Sequence, residues 1–462
     1  MRTEKDSLGE MMVPDAALWG ASTQRAVENF PISGRSLPEP FIRSLGLVKV
    51  MAAQTNAELG RISLEKGALI QRAAREIYDG KLSGNFPVDV FQTGSGTSTN
   101  MNANEVIARR AAQLSGNIKA VHPNDDVNCG QSSNDIIPTV LHVSLALVLR
   151  DNLQPALNRL REALARKQNE FGKIHKIGRT HLMDATPLTM GQEFSGYAAQ
   201  AEKAVARVGR AIELLSELAV GGTAVGTGIN GHPQFGARVC ALLSEETGIS
   251  FREAVNHFEA QGARDDCVEV AGILATVAGS LTKIANDIRW LGSGPRAGLA
   301  ELKLPATQPG SSIMPGKVNP VMSEMLVQVG LYVQGLTHTV VMCGRDGHFE
   351  LNVTLPLMAH CLHDAVHCLA NGARVFADRC VVGLVADEAH CRQLMERSLM
   401  LVTALNPHIG YDQAARVAKE ALASGRSLRE VVLEHGLMTA DALDRALDPA
   451  SMTGPAREGL SG

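Results

Sequence analysis

Four polar, glycine-rich segments hold the side chains best suited to bind or transform a small molecule. They are QTGSGTSTNMNANE (92–105), VNCGQSSND (127–135), KIGRTHLMDATP (176–187) and GSSIMPGKVNP (310–320). Each one offers hydroxyls, amides and free backbone N–H groups, the donor set that holds a carboxylate or a phosphate. Ser, Asn and Gly are also ordinary loop residues, so a single segment of this kind would mean little. Four of them in one chain predict a site for a small anion.

Three titratable residues in or beside these segments could transfer a proton or pair with a charge. His181 carries an imidazole, the side chain most often used as a general acid or base. Lys317 is the one charge of its segment and a natural partner for a carboxylate, and Glu324 follows closely enough to orient an imidazole. Each also has a purely structural interpretation: a satisfied histidine, an exposed loop lysine, and a glutamate favoured by a helix dipole.

Two further patterns are weaker. Gly226, Gly228 and Gly231 spell GxGxxG, but the βαβ rhythm of a dinucleotide site is absent, which favours a turn between helices. His363 and His367 have the i, i+4 spacing that could hold zinc. They lack the glutamate of HExxH and lie in an apolar stretch, so we interpret them as ordinary helix residues.

Composition excludes several classes of protein. With 45% apolar and 20% charged residues the chain is typical of a soluble globular protein. A net charge of −4 without runs of like charge predicts neither nucleic acid nor an anionic membrane as partner. The N-terminal MRTEKDSLGE is too charged for a signal peptide, and no uninterrupted apolar run approaches a membrane span. The eight cysteines form no CxxC pair and read as reduced thiols, so we expect a cytoplasmic protein.

The segments that must position the polar residues are predicted to be long helices. Aromatic residues are only 4% of the chain, which suits closely packed helices. Apolar residues recur at steps of three and four from Val268 to Leu291 and from Leu145 to Leu164. Further helices are predicted at 192–219, 324–341 and 356–376. Because their apolar residues extend beyond one stripe, a mainly all-α bundle that also packs against other subunits is predicted.

The two ends of the chain differ from this middle. Residues 1–131 mix short helical patterns with loops and form a predicted N-terminal domain, residues 132–388 the central helical-bundle domain, and residues 389–462 a C-terminal domain of short helices. In the last, Ser427 and Glu430 predict a capping box, and Thr439 predicts a second helix cap.

These segments together resemble the fumarase/aspartase superfamily. Its signature is GSSIMPGKVNP followed by Glu324. Within the superfamily the chain resembles the class II fumarate hydratases, from EKDSLGEMMVPDAALWGASTQR near the N-terminus to LMLVTALNPHIGYDQAA near the C-terminus. The resemblance implies an L-aspartase/fumarase-like fold with a central bundle of five long helices between smaller N- and C-terminal helical domains. It also implies a homotetramer whose active sites are each built from three subunits.

The same resemblance implies roles for individual residues. Ser311, on a mobile loop, is expected to remove the C3 proton of malate, while His181, supported by Glu324, handles the water or hydroxyl. The positions expected to hold the dicarboxylate are Ser95, Gly96, Thr97, Asn100, Ser132, Ser133, Asn134, Thr180, Ser312, Lys317, Val318 and Asn319. The run His122, Pro123, Asn124 and Asp125 matches a second anion site. Charge that develops on a carboxylate during proton removal needs such preorganised donors.

Single positions favour hydration over the related reactions. Argininosuccinate and adenylosuccinate lyases usually carry a second basic residue where this chain has Val318, and aspartases generally carry glutamine in place of His181. Two departures from the fumarase pattern stand out: Cys129-Gly130, where Lys-Ser is frequent, and His257, where lysine is usual.

We therefore expect reversible hydration of fumarate to L-malate without a metal or organic cofactor, and with neither nucleic acid nor membrane as partner. The alternatives are an aspartate ammonia-lyase, a helical scaffold that has lost the chemistry, and a metal-binding helical protein.

Overall fold

The computed structural model describes residues 1–454 and is 63% helical. The α-helices of these residues are α1 (Ala21–Asn29), α2 (Glu39–Glu58), α3 (Leu64–Tyr78), α4 (Thr97–Ser115), α5 (Ser133–Val148), α6 (Gln154–Glu170), α7 (Met190–Leu214), α8 (Phe235–Thr247), α9 (His257–Gly262), α10 (Asp265–Leu291), α11 (Val321–Gly344), α12 (Leu355–Arg379), α13 (Glu388–Arg397), α14 (Asn406–Ile409), α15 (Tyr411–Ser424), α16 (Leu428–Glu434), α17 (Ala440–Ala446) and α18 (Pro449–Met452).

The strands are short and pair two at a time. They are β1 (Arg2–Asp6), β2 (Gly9–Val13), β3 (His175–Thr180), β4 (Met183–Thr189), β5 (Glu217–Leu218), β6 (Arg252–Glu253), β7 (Leu302–Lys303), β8 (Gly347–His348), β9 (Leu351–Asn352) and β10 (Val385–Ala386). The pairs are β1–β2, β3–β4, β5–β6, β7–β10 and β8–β9, of which β5–β6 is parallel. Two-stranded sheets this small form no core of their own, so they serve to fix loops.

The long helices confirm the predicted periodicity. Helices α10, α11 and α12 contain the three predicted stretches and extend each by a few residues. Helix α7 ends at Leu214 instead of near 219, because Glu217–Leu218 leaves the helix to pair with Arg252–Glu253. Here the predicted helix end was wrong.

The apolar series from Leu145 to Leu164 runs through two helices joined without a break. A π-helical turn at Leu149–Leu153 connects α5 to α6 in one helical run of 38 residues. The series opens with three successive steps of four residues, more than the 3.6 residues of an α-helical turn. The wider π turn takes up this excess and keeps the leucines on the buried side.

Two compact units can be distinguished. The first comprises Met1–Ala156, Ala204–Gly279 and Val329–Asn371. Within it α2 packs against α3, α5 and α8 and is buried on most sides, so that even Lys49 is only 1% exposed. Helices α2 and α3 approach closely at Gly46, where a Cβ would lie 2.7 Å from the backbone nitrogen of Tyr78.

The second unit comprises Leu157–Lys203, Ser280–Gln328 and the described chain from Gly372 onward. Its β3–β4 hairpin packs against α13 and α18. A separate apolar core joins the short C-terminal helices through Met395, Leu401, Val402, Leu405, Ala414, Val417, Ala421, Leu428, Val431, Val432, Leu443 and Ala446. The division into domains at 1–131, 132–388 and 389–462 stays a prediction.

The predicted caps of the C-terminal helices are confirmed. Ser427 and Glu430 form a capping box at the start of α16. The Thr439 side chain accepts a hydrogen bond from the backbone N–H of Ala442 at the start of α17. Each cap supplies a partner to a backbone donor that the helix leaves unpaired.

Three helical runs are long and apolar enough, by length and mean hydropathy, to cross a membrane: Ser133–Glu170, Asp265–Leu291 and Val321–Gly344. The sequence expectation of no such span rested on uninterrupted apolar runs and overlooked these windows, which contain a few polar residues. Their apolar windows are 78%, 44% and 33% buried respectively. Much of the apolar surface of α10 and α11 is therefore uncovered within a single chain.

Candidate active site

The first polar segment turns into helix α4 through a tight glycine corner. Gly96 has φ +73°, and a Cβ there would lie 2.9 Å from the Ile137 side chain. Ser95 Oγ and Thr97 Oγ1 are hydrogen-bonded at 2.8 Å, and Asn100 is buried one turn further on. The corner gathers these predicted binding residues at a helix N-terminus, where the first backbone N–H groups have no partner within the helix, although that of Thr99 donates to Gln92 Oε1 at 3.0 Å.

The second polar segment begins helix α5 in the same unit. Ser132 caps the helix through a capping box, and Ser133 Oγ accepts a hydrogen bond from Asn100 Nδ2 at 3.1 Å. Asn134 Nδ2 donates to a backbone carbonyl, that of Ala224, at 2.8 Å. The structure therefore brings the first two predicted segments together, and Asn100 joins them.

The predicted second anion site forms a π-helical turn. His122 and Asp125 are exposed, and the Asp125 N–H donates to His122 Nδ1 at 3.1 Å. Pro123 and Asn124 lie in the same turn. A residue that the sequence did not single out, Asp126, is buried; it accepts the His122 N–H at 2.8 Å and pairs with Lys66 at 2.8 Å. This pair fixes the start of the turn.

The third segment is a hairpin, whereas the sequence suggested a loop. Strands β3 and β4 meet at a tip formed by His181 and Leu182, whose φ angles are +57° and +62°. A two-residue turn of this hand matches the twist of the strands beside it. Thr180 and His181 are exposed at the tip, so the hairpin presents the predicted acid–base residue to solvent.

A buried carboxylate anchors the base of this hairpin. Glu301 is 0% exposed and accepts two hydrogen bonds from Arg179, at 2.9 and 3.0 Å. Lys176 Nζ lies 3.2 Å from the same carboxylate and 3.0 Å from Glu193. Burial raises the pKa of Glu193, opposed by Lys176. Arg179 immediately precedes Thr180, so this cluster fixes the strand that ends at the tip.

The fourth segment, residues 310–320, is an exposed loop that we call the serine loop. Ser311 Oγ accepts hydrogen bonds from the backbone N–H groups of Ile313 and Met314, at 3.3 and 3.0 Å. A Cβ at Gly310 would lie 2.1 Å from the carbonyl oxygen of Lys317, so the loop closes on itself at a position open only to glycine. Ser312, Lys317 and Val318 are exposed.

The serine loop leads into helix α11. Asn319 Nδ2 donates to the Gly310 carbonyl, which closes the loop from the other end. Glu324 lies in the first turn of α11, half-buried. Among the described residues no hydrogen bond joins the side chains of His181 and Glu324, so the predicted support of one by the other stays a prediction.

The first two segments belong to one compact unit and the last two to the other. Sequence reasoning missed the buried charges beneath them, Lys49, Asp135 and Glu301. Only Asp135 gave a readable signal, because its spacing from Ser132 is that of a capping box.

The two departures from the fumarase pattern have local partners. Burial raises the pKa of the Cys129 thiol, whose backbone carbonyl accepts from Asn56 Nδ2 at 2.9 Å. His257 Nδ1 lies 3.0 Å from the Ala219 carbonyl and Nε2 lies 3.1 Å from the Glu253 carboxylate. Because both ring nitrogens face acceptors, the protonated ring is favoured, and the hydrogen bond to Glu253 raises the pKa of His257. When it is protonated, the ring carries a positive charge at the position where lysine is usual.

The two weaker sequence patterns lie in turns and in a helix. Gly226, Gly228 and Gly231 lie in the turns that join β5 to α8, as predicted. His363 is buried, its Nδ1 lies 2.8 Å from the Ala359 carbonyl, and burial lowers its pKa to about 4. In the described part of the chain, no group of three or more His, Cys, Asp or Glu side chains is placed to hold a metal ion.

Comparison with known proteins decides the family. Residues 9–335 match the family model described as Lyase, and residues 401–454 match that of the Fumarase C C-terminus. A class II fumarate hydratase from Mycobacterium tuberculosis is 53% identical over 98% of this chain and 96% of its own length. The chain belongs to the class II fumarate hydratase family.

Other members of the family agree. The class II fumarate hydratase of Neisseria meningitidis is 50% identical over 98% of this chain and 99% of its own length. The crystal structure of the Schistosoma mansoni class II fumarase superposes with a TM-score of 0.96 at 41% identity, covering 99% of this chain and all of that one. A fumarate lyase:delta crystallin from Brucella melitensis, bound to cobalt, gives 0.95 at 44% identity, covering 98% and 100%. The predicted mainly-α fumarase fold is confirmed.

The paired His257 predicts a pH-dependent contribution to stability. Its pKa in the folded state lies above the unfolded value, so the stabilisation is complete below that value and is lost as pH rises through the raised one. A His257→Lys variant keeps its charge in this range. We expect the melting temperature of the wild type to fall relative to the variant between about pH 6 and about pH 8. Melting temperatures are measured by calorimetry at matched ionic strength. If those of the two proteins changed equally over this pH range, the expectation would be contradicted.

Proposed function

We propose that the protein catalyses the reversible hydration of fumarate to L-malate. The observation that carries the proposal is the Ser311 hydroxyl held by two backbone N–H donors, in a chain that matches class II fumarate hydratases along 98% of its length. His181, at the exposed tip of the β3–β4 hairpin, adds a group able to exchange a proton near neutral pH.

Ser311 is the proposed base. A serine hydroxyl is a weak base unless its ionised form is stabilised. Donors that point at an oxygen favour the charged form, and hydrogen bonds to an anion are stronger than those to a neutral group. The N–H groups of Ile313 and Met314 are part of the same loop, so they are in place before substrate arrives. This supplies a physical route to an alkoxide at Ser311.

The reaction then balances in both directions. From malate, Ser311 accepts the C3 proton, and the electron pair left on carbon delocalises into the adjacent carboxylate as an aci-carboxylate. His181, supported by Glu324, protonates the C2 hydroxyl, which leaves as water while the C=C bond forms. In the hydration direction His181 takes a proton from water, and Ser311 returns one to carbon. The two groups act on opposite faces, which gives anti addition.

The dicarboxylate is held by donors from all four segments. In the proposal Lys317 and Asn319 meet the carboxylate on which charge develops, with Ser312 and the Val318 backbone beside them. Preorganised donors aimed at such charge usually contribute the largest catalytic effect. The remaining proposed contacts are Ser95, Gly96, Thr97, Asn100, Ser132, Ser133, Asn134 and Thr180. The turn at His122, Pro123, Asn124 and Asp125 is proposed as a second anion site.

We also propose that the enzyme is a homotetramer in the cytoplasm, with each active site shared between subunits, and that it serves the tricarboxylic acid cycle. The apolar helix α11 supports the assembly. On this helix Leu331 is 66% exposed and Val341 is 44% exposed. A soluble protein must cover such a face, and other copies of the chain can do so.

The central test is a parallel assay of fumarate, L-malate and L-aspartate with chelator-treated protein. We expect fumarate and malate to interconvert and aspartate to release no ammonia. In Ser311→Ala, kcat should fall by about 10²- to 10⁴-fold, the usual range for loss of a general base. Ammonia release from aspartate without turnover of fumarate would instead establish the aspartate ammonia-lyase alternative.

The closure of the serine loop gives a second test. In Gly310→Ala the added methyl group would meet the Lys317 carbonyl, so the loop must open and displace Ser311. We expect a loss of kcat of at least about tenfold with an unchanged melting temperature, since small misplacements of catalytic groups are costly. Gly84→Ala is the matched control, because a Cβ at Gly84 meets nothing within 4 Å. Equal activity of the two variants would show that the loop geometry is not needed.

Sharing of the active site between subunits can be tested by complementation. Inactive His181→Asn and Ser311→Ala proteins, dissociated, mixed and reassembled, should regain part of the wild-type activity, because some sites then receive both intact residues. Mixed tetramers are verified by native mass spectrometry with one partner isotope-labelled. Mixed tetramers without activity would place His181 and Ser311 of each site on one subunit.

A further inference from the structure

A buried pair of charges lies beneath the polar residues of the first unit. Asp135 is 0% exposed and Lys49 is 1% exposed, and the reaction proposed above uses neither. Burial of a charge is costly unless donors, acceptors or an opposite charge compensate for it. Since neither side chain reaches the surface, neither can touch a substrate, and their effect must pass through the groups that they hold.

The carboxylate of Asp135 holds two separate turns. One oxygen accepts the N–H of Ser132 at 2.8 Å. The other accepts the N–H groups of Gly221 and Thr223, at 3.1 and 3.0 Å. Thr223 has φ +55°, a left-handed conformation that a β-branched residue rarely adopts. Asp135 therefore stabilises a strained turn and fixes it against the start of α5.

The ammonium group of Lys49 organises the neighbouring amides. It donates to Asn128 Oδ1 at 3.1 Å and to Gln131 Oε1 at 2.9 Å. The same Asn128 oxygen accepts from Asn100 Nδ2 at 3.2 Å, and Asn100 in turn donates to Ser133. A chain of hydrogen bonds thus runs from Lys49 to two of the proposed substrate contacts.

The two charges also depend on each other. Burial lowers the pKa of Lys49 to about 7 and raises that of Asp135 to about 6, and in each case the opposite charge counteracts the shift. With both groups ionised, Asp135 acts only as an acceptor and Lys49 only as a donor, which matches the partners of each.

We propose that Asp135, with Lys49 as its counter-charge, is a positioning group that presets the Ser132–Asn134 turn and Asn100 to receive a carboxylate. This inference rests on the proposed function. Substrate affinity then depends on two buried side chains. Without them the donors of the turn would no longer be held in fixed directions.

The test compares Asp135→Asn and Lys49→Met with Glu58→Gln. Glu58 lies on the same helix as Lys49 and pairs with Arg238 at the surface, outside the proposed site. In Asp135→Asn an amide NH2 must face backbone N–H groups. In Lys49→Met the hydrogen bonds to Asn128 and Gln131 are both lost. For both variants we expect KM for fumarate and malate, and Kd for the unreactive dicarboxylate succinate measured by calorimetry, to rise about tenfold or more, with a smaller change in kcat. Glu58→Gln should match the wild type.

A second comparison separates positioning from general destabilisation. The double variant Lys49→Met/Asp135→Asn leaves no uncompensated charge. Its melting temperature should therefore exceed that of the less stable single variant, while its affinity for succinate stays low. Wild-type values of KM and succinate Kd in folded variants would overturn the inference, even if their melting temperatures fall. Wild-type protein that neither converts fumarate nor binds succinate would overturn the proposed function instead.

Discussion

The cost of burying a charge determines how each unit of this protein holds one of its polar segments. In the first unit Asp135 lies out of reach of water and must find all its donors within the chain, and it does so in two turns at once. In the second unit Glu301 is equally buried and takes its donors from Arg179 and Lys176. A buried carboxylate that has lost a donor is heavily penalised, so these segments are held more firmly than exposed loops normally are.

The long helices impose a second requirement. A helix of 24 residues such as α11 presents apolar side chains around much of its circumference, and a single chain buries only a third of its apolar window. Length and apolar composition alone would allow such a helix to cross a membrane. In the proposed homotetramer, like helices of neighbouring subunits would cover one another instead.

Much of this architecture could be predicted from the sequence, because helical periodicity is a local signal. The predicted helix from Val268 to Leu291 agrees with α10 to within three residues, and the predicted cap at Ser427 is present. Pairing between distant segments leaves no such signal. The glycine and polar residues of the hairpin that carries His181 are typical of a loop and mask two short strands. The burial of Lys49 leaves no signal in the sequence. A lysine in an apolar helix normally faces solvent, and the sequence does not show which elements pack around that helix.

The serine loop shows how an exposed segment can still be chemically prepared. Residues 312–318 are all exposed, and Ile313 is 84% exposed. The donors to Ser311 nevertheless come from the loop itself, and its closure at Gly310 is internal as well. In the proposed mechanism, these donors would stabilise a Ser311 alkoxide wherever the loop lies. If Ser311 is the base, as proposed, the loop could move to admit substrate and water without losing these two donors. This separation suits a hydratase, which must admit water as a reactant and still exclude it while charge develops on the substrate.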